Sequence, residues 1–328
     1  WSLIDKATRP PSGDMRDFIT ISGYYWPCNL DCDAAVWGVD KCSHWWDRPG
    51  YYSPEVAYPG VCDNATGLPW IPHDGFLRPW GQRDGGCLIA MAEHVITLAL
   101  AHYLFGTVDY AESAALLLRT WFVNSETRMN PRMLYGGAQP GKYNGTASAL
   151  IWTSYRWNSD LTDAEALLVS GGSGKWTLQD QAAFSCWNSE YLNFMRTHPF
   201  GEIEARNPAN HATFYYVQAI ALALSTLEPE AANEMANLLP MGIPGSLERQ
   251  IQPNGEMPHE TARADGATYS VMNVGGLFQL ALVAGNTSLW TFRDAAGRGS
   301  IRKALDYLLP FATNGTLWPH GQVSAWPW

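Results

Sequence analysis

Charge is scarce in this chain. Of its 328 residues only 16% are Asp, Glu, Lys or Arg, against roughly 25% in an average globular protein. Twenty-one basic residues face 31 acidic ones, for a net charge of −10. That balance repels a phosphate backbone and supplies none of the counterion release behind non-specific nucleic-acid binding, so nucleic acid is excluded as a bulk partner, and an anionic membrane surface with it. Long apolar runs are lacking too. The most apolar stretch, around Val95 to Phe105, is broken by Thr97 and His102 and falls short of the ~18 residues of a membrane span. There is no strict repeat of about 34 or about 40 residues, no β-α-β alternation and no zinc-type cysteine pairing, which argues against TPR or HEAT solenoids, doubly wound sheets and zinc modules. No metal site and no cofactor is expected. What is plentiful is apolar and aromatic: 46% apolar residues, with 16 Trp and 15 Tyr among 30 Gly and 21 Pro. Such a chain buries a large core and is not disordered.

The six cysteines, Cys28, Cys32, Cys42, Cys62, Cys87 and Cys186, form an even set concentrated before residue 88. Asn-x-Ser/Thr sequons stand at Asn64, Asn144, Asn286 and Asn314, each among small, turn-forming residues. Together they favour a secreted, extracellular, disulfide-bonded glycoprotein, with the cysteine pairing left open. The chain opens on Trp1 without a visible signal peptide and is read as a mature form.

Residues 1–87 carry Pro10, Pro11, Pro27, Pro49, Pro54, Pro59, Pro69, Pro72 and Pro79 and no sustained period, which predicts a long irregular arm stapled by disulfides. From 88 to 328 the period becomes 3.6. Ala92, Val95, Ile96, Ala99, Leu100, Tyr103 and Leu104 share a face, as do Tyr110, Ala114, Leu117, Leu118 and Trp121 after a turn at Gly106 to Asp109. Further helices are predicted over 178–197, 209–226, 230–239, 268–284 and 298–309. The expected fold is all-α, a single catalytic domain forming an incomplete (α/α) toroid of hairpins or an irregular helical array. Loops such as 124–145 and 240–267 would gather on one rim.

Those loops hold three polar clusters. In Asn207-Pro208-Ala209-Asn210-His211, Pro208 can start a helix, and Asn210 and His211 fall in its first turns, where N–H groups and the dipole attract an acid. An ordinary cap with a solvent-facing His accounts for the same pattern. The second cluster is Pro258-His259-Glu260-Thr261-Ala262-Arg263, followed by Tyr269 and, four residues on, Asn273 on the same face. An Arg beside a phenol favours the phenolate, lowering a Tyr pKa from ~10; the plainer alternative pairs Arg263 with Glu260 and packs Tyr269 at a helix start. The third, Thr127-Arg128-Met129-Asn130-Pro131, is weak alone.

In order and company these clusters resemble the alginate lyase group of polysaccharide lyases, over about Asp14 to Ala284. The resemblance also rests on Tyr25-Trp26-Pro27, Pro69-Trp70-Ile71-Pro72-His73-Asp74-Gly75, Asp109-Tyr110-Ala111-Glu112, Asn210-His211-Ala212-Thr213-Phe214-Tyr215 and Glu260-Thr261-Ala262-Arg263 with Tyr269-Ser270. It implies an (α/α) toroid, a metal-independent elimination, and an active site of Asn210, His211, Arg263 and Tyr269. The group often has a second Asn where this chain has Ala209. Substrate contacts are expected from Trp26, Trp70, His73, Arg78, Arg128, Asn130, Tyr143, Glu260 and Asn273, with Arg83, Arg132, Lys142 and Trp80 nearby. The expected partner is an anionic polysaccharide, handled by a monomer.

Uronate β-elimination fits these residue types. Removing the C5 proton adds charge to a group already carrying a carboxylate, so donors must neutralise it, and a base and an acid must serve C5 and O4. In β-1,4-mannuronate and glucuronate the two groups share a face, so Tyr269 can do both; in guluronate they oppose, and His211 becomes the natural base. A toroidal glycoside hydrolase, the competing class, needs two carboxylates flanking the bond, with Glu204, Glu260, Asp84 and Asp265 as candidates. A carbohydrate-binding protein with an inactive site is the third possibility.

Overall fold

The structure is a computed structural model that describes residues 2–6, 9–28, 62, 68–72, 74–75, 83–139 and 158–327. The expected contacts His73, Arg78 and Tyr143, the neighbouring Trp80 and Lys142, and sequons Asn64 and Asn144 lie outside them. The chain divides into two compact units, Trp1–Thr153 with Asp163–Trp187, and Ser154–Thr162 with Asn188–Trp328.

In the first unit, strand β1 (Ile19–Ile21) is followed by β2 (Tyr25–Trp26) and β3 (Ile71–Pro72), which pair antiparallel. Helix α1 (Arg83–Phe105) and helix α2 (Val108–Leu118) form the expected hairpin. α1 starts within the stretch expected to be irregular arm. Gly106, at φ +71, turns the chain out of α1, donating its N–H to the His102 carbonyl at 2.8 Å, a left-handed stop that a glycine takes without strain. α2 runs on into a π-helical turn, Arg119–Val123, which buries both Trp121 and Phe122. The wider turn brings two consecutive aromatic residues inward.

The described residues of the arm are integrated into this unit rather than hung on it. β1 pairs in parallel with β4 (Tyr135–Ala138), Ile19 opposite Tyr135, and Ile19, Ile21, Leu68, Trp70, Tyr135 and Ala138 form one buried cluster. Asp84, in the first turn of α1, accepts from Lys6 Nζ at 2.7 Å and from the Ile19 N–H at 3.0 Å. Asp17 accepts two bonds from Arg132, at 2.8 and 2.9 Å, one from Asn130 at 2.7 Å and one from Ser12 at 2.6 Å. Although burial pushes Asp17 up, those donors hold it below the usual carboxylate range. The expected staple is present as Cys28–Cys62.

Among the described residues one helix, Asp84–Phe105, is long and apolar enough to cross a membrane. The apolar segment outruns the stretch counted from Val95 because Leu88 to Ala92 extend it. In place it buries Leu88, Met91, Ala92, Val95 and Ala99, turns Glu93 and His94 outward, and leaves Leu100, Tyr103, Leu104 and Phe105 exposed at its C-terminal end, so that one face packs on the protein and the other does not.

Helix α3 (Asn158–Ser170) and helix α4 (Leu178–Thr197) run from one unit's residues into the other's. The second unit continues with α5 (Pro199–Ala205), α6 (Asn210–Ser225), α7 (Pro229–Leu238), α8 (Leu247–Gln250), α9 (Pro258–Thr261), α10 (Gly266–Val283) and α11 (Ile301–Thr313). The expected plain loop 240–267 thus holds two short helices. α6 is its centre, buried continuously from Ala212 to Ala223. α10 lies close against it because Gly276 has no side chain: a Cβ there would meet the Phe214 ring at 2.8 Å.

Candidate active site

Four short stretches of the second unit converge. Pro199 opens α5, and its first free N–H, at Phe200, is capped by the His198 ring at 3.2 Å. α5 folds tightly under the end of α4 because residue 201 is Gly; a Cβ would fall 1.7 Å from the Met195 carbonyl oxygen. That packing brings Glu204, 2% exposed, to His211. The chain turns at Asn207 to Ala209, so α6 begins at Asn210 with Ala209 as its cap; Pro208 precedes the cap rather than opening the helix.

His211 Nδ1 lies 2.5 Å from Glu204 Oε2. A carboxylate there requires Nδ1 to carry a proton and leaves Nε2 as the outward nitrogen. The ring stays reachable, with a third of its side-chain surface exposed (33%). Burial pulls the imidazolium down, but the Glu204 charge and hydrogen bond outweigh it, and His211 ends above its ordinary 6.5.

An acid does occupy the N-terminus of α6, as its dipole favours, but it is the protein's own. Glu260 takes the Asn210 backbone N–H at 2.6 Å on one oxygen and the Asn210 side-chain amide at 2.7 Å on the other. Both residues are 1% exposed. Burial pushes Glu260 above its ordinary range in spite of these donors and the nearby charges of His211 and Arg263. Glu260 is therefore a buried clamp, not the substrate contact expected of it, and Asn210 spends an amide hydrogen inside the protein.

Arg263 follows directly, its N–H on the Glu260 carbonyl at 3.1 Å. Its guanidinium carbon stands 3.8 Å from the centroid of the Tyr269 ring. The pair expected from sequence is thus formed, with the guanidinium over the ring in a cation–π contact. Both side chains are half-buried. Asn273, one turn along α10, is fully buried, with its amide on Gln250 Oε1 at 3.0 Å and Met257 Sδ at 3.4 Å. The same Gln250 oxygen receives the Thr213 hydroxyl at 3.1 Å. Asn273 thus ties α10 to α8, and through Gln250 to α6, with its amide hydrogens engaged inside the protein rather than offered to a substrate as expected.

Further corrections concern the first unit. Trp26 and Trp70, expected to stack on sugars, are 1% and 0% exposed; rings that fill a core present no face outward. Asn130 anchors Asp14 and Asp17. Arg128 is half-buried in the turn after the π-helical segment, its N–H on the Asn124 carbonyl at 2.7 Å. Of the expected residues, the structure assembles His211, Arg263 and Tyr269 around the Asn210–Glu260 clamp. The partner role of Glu204 has no signature in spacing, because a broken turn separates it from His211.

The carboxylates proposed for a hydrolase are all engaged inside the protein. Glu204 holds His211 and Glu260 holds Asn210. Asp84 receives Lys6, and Asp265 receives the N–H groups of Val323 and Ser324 at 3.1 and 2.7 Å. At 2%, 1%, 4% and 6% exposed, none is placed to flank a glycosidic bond. Among the described residues no group of three or more His, Cys, Asp or Glu side chains is arranged to hold a metal ion.

Comparison with known proteins bears on this constellation. No curated protein matches the chain. The crystal structure of an alginate lyase from Bacteroides ovatus is similar to it at 28% identity and a TM-score of 0.82, over 99% of this chain and 77% of that one. The alginate lyase family matches residues 4–318. With nearly its whole length so matched, the chain belongs to the alginate lyase family and is a polysaccharide lyase.

Proposed function

We propose that the protein depolymerises a β-1,4-linked polyuronate, mannuronan-type alginate or glucuronan, by β-elimination that leaves 4,5-unsaturated uronate ends. The observation that carries this reading is the cluster itself: an imidazole held by Glu204, a guanidinium, and a phenol under that guanidinium. His211, with its proton affinity raised, and Arg263 supply positive charge and N–H donors to the uronate carboxylate as C5 loses its proton. Tyr269, its ring beneath Arg263, takes the C5 proton as phenolate and returns it to the departing O4. One residue serves both sites because in these sugars H5 and O4 share a face. A His211 whose proton affinity is raised by Glu204 suits charge neutralisation better than proton abstraction, which favours the syn substrates over guluronate. Asn210 and Glu260 hold the start of α6 in place rather than touching the sugar.

We also propose that the protein is secreted. The Cys28–Cys62 disulfide supports this, as do Asn286, whose Oδ1 accepts from Ser288, and the exposed Asn314 as glycosylation sites.

The test is digestion of polymannuronate, polyguluronate and glucuronan, followed by absorbance of the unsaturated product. The native protein should generate it from polymannuronate or glucuronan, and Tyr269→Phe should lose about 10²–10⁴-fold in rate. Saturated products from the native protein would refute the reaction, and full activity in Tyr269→Phe would refute the assignment of base and acid.

A further inference from the structure

Arg263 and Tyr269 are separated by five residues, Ala264, Asp265 and the first three of α10, and a distant part of the chain grips that stretch. Asp265 stands at the N-cap position of α10 but caps nothing. Its carboxylate instead receives the backbone N–H groups of Val323 and Ser324 at 3.1 and 2.7 Å. The vacant capping role is filled by Gln322, whose Oε1 accepts from the N–H groups of Ala267 at 3.0 Å and Thr268 at 3.4 Å, while its Nε2 donates to Thr268 Oγ1 at 2.9 Å. Backbone bonds complete the grip: Gly266 N–H to the Gly321 carbonyl at 2.9 Å and Val323 N–H to the Ala264 carbonyl at 3.2 Å. Glycines stand where the two segments cross, since a Cβ on Gly321 would lie 3.2 Å from the Ala264 oxygen and one on Gly266 3.2 Å from the Gly321 oxygen. The gripping segment is itself anchored to α11, His320 Nε2 lying 3.0 Å from the Tyr307 hydroxyl and the Trp318 ring 5.1 Å from Phe311.

We propose that Gln322, with Asp265, is a positioning residue for catalysis: it caps α10 from the C-terminal segment and so fixes the Arg263 guanidinium over the Tyr269 ring. The physical need is plain. Free N–H groups at a helix start fray unless capped, and Tyr269 sits in the first turn of α10. The residues that supply the cap lie beyond residue 318, past the stretch matched by the family, in the C-terminal segment that follows α11. Its importance for rate rests on the proposed roles of Arg263 and Tyr269.

Two variants test it. Gln322→Ala removes the three bonds to α10, together with the amide's bonds to Ser324 and Ala325, and leaves the backbone bonds of Gly321 and Val323, so the fold is retained. Gln322→Glu keeps the acceptor oxygen for both N–H groups. Displacing a reacting group by about 1 Å costs about 10²-fold, so Gln322→Ala should lower kcat by about 10- to 100-fold with KM changed less than about 2-fold, and Gln322→Glu should recover most of it. Amide hydrogen exchange, which needs no substrate, should quicken in Gln322→Ala at Gly266 to Tyr269 and not along α6. Unchanged kcat and unchanged exchange at those amides would overturn the proposal. So would a fall in kcat matched by a general loss of protection that Gln322→Glu does not reverse. If the native protein yields no unsaturated product, the functional reading fails while the exchange result still decides the cap.

Discussion

At the scale of single residues the site turns on which carboxylate meets which partner. Glu204 and Glu260 are both buried, yet they face different groups, His211 and the start of α6. The first pairing makes a pH prediction. Because Glu204 raises His211 above 6.5 in the folded protein, the pair's contribution to stability is fully present below 6.5 and fades as pH rises through the higher folded value. If the imidazolium neutralises the substrate, the alkaline limb of kcat/KM falls over that same upper window. In Glu204→Gln the counter-charge is gone, the limb should move to lower pH, and activity near neutrality should drop about 10- to 100-fold, the range typical of losing a ligand's outer partner. A pH–rate profile in which the limb does not move would show that His211 acts without Glu204. The residue scale is also where sequence is least legible. A Trp that fills a core and a Trp that stacks on sugar are the same letter, and only burial separates Trp26 and Trp70 from the role first expected of them. Asn210, His211, Arg263 and Tyr269 were identifiable by motif; their partners Glu204 and Gln322 were not, because each reaches its target across a turn or across the chain.

At the scale of elements, periodicity predicted α1, α2, α4, α6, α7, α10 and α11 to within a few residues, α1 apart, which begins earlier. α5, α8 and α9 were missed because seven or four residues do not complete enough turns to show a period, and the 13-residue α3 was missed as well. β1 and β4 escaped because Tyr135-Gly136-Gly137-Ala138 carries no alternating pattern and its partner lies over a hundred residues away. The placement of Tyr269 relative to Asn210 depends on how closely α10 and α6 approach, and two adjacent glycines separate that requirement from helix propensity. In Gly276→Ala the new Cβ meets Phe214 at 2.8 Å and Thr213 at 3.0 Å, both buried and unable to give way easily; the cost should be about 1–3 kcal/mol, with activity lowered as Tyr269 shifts. Gly275→Ala, with nothing within 4 Å of its Cβ, should be neutral or stabilise by about 0.5–1 kcal/mol. Denaturant midpoints of the two variants check this directly, and equal effects would place the constraint elsewhere than in helix approach.

At the scale of the whole molecule, the net charge of −10 opposes the polyanion that the site is proposed to cleave. The two effects act over different distances. The repulsion is carried by many exposed carboxylates and reaches about 30 Å at 0.01 M salt but only about 10 Å at 0.1 M. The attraction comes from His211 and Arg263, partly buried and close to the bound carboxylate, where screening is weak. Raising salt from about 10 to about 100 mM should therefore lower KM for a long polyuronate several-fold and leave kcat nearly unchanged, whereas a protein that steers its substrate by surface charge shows the opposite trend. Short oligouronates, carrying fewer charges into the repelling field, should show a smaller change. Initial rates across that salt range on long and short substrates decide the point. A KM that rises with salt would mean that the cationic cluster attracts the polymer from a distance, and that the acidic balance of the chain is arranged away from the path the substrate takes.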